Sequence, residues 1–145
     1  MGQQQLLLLV LSTVIVGLAT VAGIQAFSEN QAQATQDALV QRAITIANDV
    51  KAAHDTPSQL GGVDLTDLGS NGKSKIADAI GISDAGSIPA DGAGESASCE
   101  ITTSPSNLSG QAAVSCTGSG AEIEAVVDVN NGDNPVRTDI ISVAS

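Results

Sequence analysis

Aromatic side chains are nearly absent. Phe27 is the only one in 145 residues, with no Trp and no Tyr. That excludes recognition of bases or sugars by ring stacking, and it excludes a relay of stacked rings for electron conduction. Positive charge is scarce as well. Five Lys and Arg stand against 16 Asp and Glu, a formal net charge of −11. Such a chain repels nucleic acid and anionic lipid headgroups, so no nucleic-acid partner is expected. The same excess of carboxylates suits solubility in high salt.

The chemistry-bearing residues are few. His54 is the only histidine, and Cys99 and Cys116 are the only cysteines. Two thiols and one distant imidazole fall short of a tetrahedral metal set. No Ser or Cys stands near a base, and no Gly-rich loop ends in Lys-Ser or Lys-Thr. His54 falls at an expected helix C-terminus, where a cation caps well. The expectation is a non-enzyme without a cofactor. Lys73 and Lys75 form the only local basic pair, which reads as a solvated helix start or as a salt bridge to a neighbour's acidic face.

Charge is also missing from one region altogether. Residues 1–28 carry no ionisable side chain, so every charge lies from Glu29 onward. Within that region Leu6 to Ile24 reads LLLLVLSTVIVGLATVAGI, 19 residues whose only polar types are Ser12, Thr13 and Thr20. As a helix it spans roughly 28 Å, about a bilayer core. A buried core helix is excluded by supply, because the remaining chain is too small and polar to wrap it. A cleaved secretory signal fits less well: Met1-Gly2-Gln3-Gln4-Gln5 has no Lys or Arg, and the apolar run is long.

The helical pattern continues past this segment. Gln25 to Ala53 has no proline, and Leu39, Ala43, Ile46 and Val50 recur at spacings of four, three and four. Val40, Ile44 and Ala47 widen the stripe, while Gln36, Asp37, Gln41, Asn48 and Asp49 lie largely off it. One helix over 1–54, roughly 80 Å long, is therefore expected. Its first half is apolar all round and its second half is amphipathic, with Leu39, Ala43, Ile46 and Val50 packing on a small head.

Beyond it, Thr56-Pro57 ends the helix. Residues 55–97 read as a connecting region with turns and one short helix about 74–80, and Pro89 to Ser98 reads as irregular. Four strands are expected in 98–145: Ser98–Thr103, Gln111–Thr117, Glu122–Asn130 and Val136–Val143. They make an antiparallel meander, so the fold class is α+β. Cys99 and Cys116 fall in the first two strands, and in an exported protein they most simply form one structural disulfide.

An N-terminal apolar helix running unbroken into an amphipathic half, then a small disulfide-bearing β head, resembles a type IV pilin. The Gly2-Gln-Gln-Gln-Leu-Leu-Leu-Leu-Val run resembles pilin-like N-termini that follow a glycine processing site. The resemblance implies a membrane-inserted precursor in the inner membrane, a prepilin peptidase and a pilus assembly machinery. It then implies an extracellular homopolymer of identical subunits, with adhesion or motility as surface roles. It implies filament-core packing along Gln5, Leu6, Leu9, Gly17, Ala19, Ala22, Gly23 and Ala26. Ala19 and Gly23, and Ala22 and Ala26, stand four apart, which lets backbones approach; small residues are also common in any membrane span.

The chain departs from the pilin pattern in its usual glutamate and proline. If Met1 is the first mature residue, Gln5 stands where a glutamate is usual; if Gln3 is first, Leu7 does. Ala22 replaces the usual proline. A pseudopilin or minor pilin, and a single-pass anchored binding domain, remain alternative readings.

Two further motifs are ambiguous. Asp128, Asn130 and Asp133 place oxygens around Gly132, as calcium loops do, yet no bidentate Glu follows and a hairpin turn accounts for the same residues. Asn107-Leu108-Ser109 matches the glycosylation acceptor pattern.

Overall fold

The structure is a computed structural model that describes residues 2–103 and 110–142. It comprises two compact units, residues 1–33 and residues 34–145. The protein has α+β architecture. Helix α1 spans Gly2–Asp55 and contains no proline; α2 spans Gly72–Ala79. The strands are β1 Ile88–Pro89, β2 Ser98–Thr103, β3 Gln111–Gly118, β4 Ala121–Asp128 and β5 Val136–Ser142. They form one antiparallel sheet in sequential order, β1 to β5.

In the second unit the amphipathic end of α1 packs on the inner face of this sheet. Leu39, Ala43, Ile46, Ala47 and Val50 are all buried. They share one core with Ile101, Val114, Ile123 and Val127. On β4 burial alternates strictly, with Ile123, Ala125 and Val127 inward and Glu122, Glu124 and Asp128 outward. That is the period-2 signature of a strand with one dry face. The inner face is low in bulk: Ala112 and Ala125 lie beneath the helix stripe, which itself contributes Ala43 and Ala47. Small residues on both sides fill the layer without aromatic side chains.

Between α1 and the sheet the chain makes tight turns. Short 3-10 turns occupy Ser58–Leu60 and Gly69–Asn71. Helix α2 ends in a Schellman motif: Ile82 N–H donates to Ala77 O (2.8 Å), Gly81 N–H donates to Asp78 O (3.3 Å), and Gly81 has φ +75°. Ile76 and Ala77 are the buried side chains of α2. Residues 90–97 form no helix or strand, in keeping with the irregular stretch expected, but its start at Pro89 is strand. Ile88 and Pro89 pair with Cys99 and Ser98 as an edge strand, and Ile88, Ala90, Ala93 and Ala97 are buried. Two residues, one of them proline, give too short a period for sequence reading, and proline is tolerated there because β1 is an edge.

The return from α1 depends on one close approach. Gly62 N–H donates to Pro57 O (3.2 Å) and Val63 N–H donates to Ala53 O (3.0 Å). A Cβ on Gly62 would fall 1.8 Å from Thr56 O and 2.8 Å from Ala53 O, both backbone atoms that cannot swing aside. Gly62→Ala is therefore expected to destabilise the fold by about 3 kcal/mol. Chemical denaturation of the full chain in detergent checks this, and an unchanged midpoint contradicts it.

Candidate functional site

Two features concentrate in the first unit, apolar surface and satisfied polarity. Every large apolar side chain from Leu6 to Phe27 keeps 51–68% of its surface exposed. The window is long and apolar enough to cross a membrane, and none of it is buried. The three hydroxyls within it are tied back to the helix. Ser12 Oγ donates to Leu9 O (3.0 Å), Thr13 Oγ1 to Val10 O (2.8 Å) and Thr20 Oγ1 to Val16 O (2.6 Å). No hydroxyl from Leu6 to Ile24 therefore needs water. In an apolar medium each untied hydroxyl would cost several kcal/mol.

The candidate packing residues all lie on this part of α1, but not on one stripe. At 100° per residue, Gln5, Leu9, Ala19, Gly23 and Ala26 fall within a sector of about 100°. Ala22 borders it. Leu6 and Gly17 project from another side of the helix. Added Cβ atoms on Gly17 and Gly23 would meet nothing within 4 Å. Both positions are open for a neighbouring backbone.

The head carries one disulfide. Cys99 on β2 and Cys116 on β3 are directly opposed partners and are bonded to each other, both fully buried. The bond closes a sequence separation of 17 residues. A register row runs through it across the sheet: Ile88, Cys99, Cys116, Ile123 and Ile140 are successive cross-strand partners. The first four are buried, whereas Ile140 is 60% exposed.

The remaining candidate polar residues are held by turn and surface contacts. Asp128 Oδ1 accepts from Asn130 N–H (3.0 Å), and Asp128 Oδ2 accepts from Gln111 Nε2 (2.7 Å). Asn131 N–H donates to Asp128 O (3.2 Å), and Asp133 is exposed. One Asp128 oxygen thus serves the β4–β5 turn and the other bonds across to β3. His54 binds a loop rather than its own helix end. Its Nδ1 accepts from Leu65 N–H (3.3 Å) and lies 3.3 Å from Val63 O. Lys73 Nζ pairs with Glu100 Oε1 of the same head at 3.0 Å, so this lysine already has an internal partner. In the loop beyond α1, Thr66 Oγ1 and N–H both donate to Asp64 Oδ1, holding that carboxyl below its ordinary value. Asn107-Leu108-Ser109, Val143 and Met1 lie outside the described residues.

The edge position of β5 was not legible as a site. Its alternating Val136, Thr138 and Ile140 look like any core strand, and only the three-dimensional layers show that Ile140 is uncovered. Comparison with protein-family models, curated proteins and solved structures gave no match. The class defined by geometry alone is a long, membrane-competent N-terminal helix with an α+β head.

The disulfide has a measurable consequence. Replacing both cysteines by Ala is expected to lower stability by about 3 kcal/mol, as the closed-loop length implies. Paired denaturation curves of the two full-length proteins check this. Coincident curves would contradict it.

Proposed function

We propose that this chain is a structural subunit of an extracellular type IV pilus-like filament. The uncharged N-terminal half of α1 inserts in the inner membrane as a precursor and later packs against identical copies in the fibre core. A prepilin peptidase and pilus assembly machinery handle it by resemblance, and adhesion or motility falls to the exposed heads. The role is mechanical rather than enzymatic.

One observation carries the reading: the uncovered apolar surface from Leu6 to Phe27 on a helix that continues without a break to Asp55. Thirteen large side chains are left half-exposed or more. At about 1 kcal/mol for the exposed part of each, leaving them in water costs on the order of 10 kcal/mol, comparable to a whole domain's stability. Lipid removes that penalty for a single chain. A bundle of copies removes it outside the membrane. A single-pass anchor carrying a binding head is the second reading, favoured by the tied hydroxyls of Ser12, Thr13 and Thr20, which lipid tolerates equally well.

Negative-stain microscopy of material sheared from cells, with its intact mass, separates the two. The filament reading expects thin fibres of this chain beginning at Met1 or Gln3. Release of a monomer starting near Phe27, with no fibres, contradicts it. Within fibres, Ala19→Leu with Gly23→Leu is expected to reduce assembly at least tenfold while leaving membrane insertion intact, because bulk on the open sector prevents close helix approach. Unimpaired assembly removes the role assigned to that sector.

A further inference from the structure

Strand β5 is the last in the sheet, and among the described residues no strand lies beyond it. Pro135 O accepts from Asp128 N–H at 2.8 Å, toward β4. By the alternation of antiparallel ladders, the N–H and C=O groups of Val136, Thr138 and Ile140 therefore point away from β4. They form an unpaired template.

The side chains along this edge are self-complementary. An antiparallel pairing of two β5 strands centred on Thr138 sets Val136 of one copy opposite Ile140 of the other, twice. On the opposite face it sets Arg137 opposite Asp139, twice. Ile140 is the uncovered end of the buried row Ile88, Cys99, Cys116 and Ile123, so a second copy continues that row. Within its own sheet Asp139 stands opposite Glu124, a like-charge pair. Neither Arg137 nor Asp139 enters an ion pair among the described residues. An arginine of a second copy placed opposite Asp139 would offset the repulsion that Glu124 imposes.

We propose that β5 is a docking edge for β5 of a second copy of this chain, forming a closed two-fold head pair. A two-fold contact is isologous and ends at two subunits. In a polar fibre all subunits point the same way, so such a pair joins heads of different fibres rather than extending one. The inference does not rest on the filament reading, since heads of detergent-solubilised chains can pair equally well.

The test uses charge reversal on the full chain in detergent micelles, with sedimentation velocity as the readout. The unaltered chain is expected to dimerise. Arg137→Asp alone and Asp139→Arg alone each place like charges opposite one another and are expected to weaken the dimer about tenfold or more. An equimolar mixture of the two variants restores opposite charges at all positions, and it is expected to recover dimers that each variant lacks. Both residues are exposed, so the fold is retained. Monomers in every sample overturn the proposal, including the case where the edge takes an extended segment of another protein. Dimers equally strong in all samples also overturn it, because association then runs through α1. Dimers that follow the charge pattern in a chain that makes no fibres leave this inference standing and remove only the filament reading.

Discussion

Uncovered apolar surface between Leu6 and Phe27 is the constraint on which the rest of this protein depends. No charge interrupts it, and the three hydroxyls inside it donate to carbonyls one turn back. From Leu6 to Ile24 the helix therefore has no free polar side chain that holds it in water. Lipid or other helices would relieve that exposure, and the chemistry of the segment suits both. The missing glutamate matters here. In the filament we propose, with Gln5 or Leu7 in its place, register between copies would come from apolar and small-residue packing, not from a buried charge pair.

The head solves a different problem, stability with little bulk. Its core is made of Leu, Ile, Val and many alanines, with no aromatic side chain. Such a core supplies limited burial energy, and small scaffolds of this kind gain from a covalent staple. The Cys99–Cys116 bond lies at the centre of the register row, in one core with the buried face of α1, where it ties β2 to β3. The amphipathic half of α1 supplies the second layer, so the head needs that half-helix as part of its own fold.

Much of this was legible in the chain. The stripe of Leu39, Ala43, Ile46 and Val50 is a helical period that only one buried face satisfies, and all four are buried. The strand expected over Glu122–Asn130 is observed as Ala121–Asp128, with Ile123, Ala125 and Val127 on its dry face. Other features were hidden for physical reasons. Ile88–Pro89 is too short for any period, and the burial of Ala90, Ala93 and Ala97 has no pattern that distinguishes it from a polar loop. Lys73 finds Glu100 across 27 residues, a pairing that local spacing cannot foresee. The exposure of Ile140 depends on how far the helix layer extends over the sheet, which is a tertiary quantity. The grouping of Gln5, Leu9, Ala19, Gly23 and Ala26 into one sector follows from helical geometry alone, and it separates them from Leu6 and Gly17.

In the filament we propose, the apolar half of α1 is covered by the same segment of other copies. Attaching a spin label through Leu9→Cys, with Cys99 and Cys116 kept oxidised, measures this directly in sheared material. Packed helices lie about 8–10 Å apart, so neighbouring labels are expected to show strong dipolar broadening and little access to oxygen. A sharp spectrum from isolated labels, readily relaxed by oxygen, would contradict the account and identify a lipid-exposed single helix.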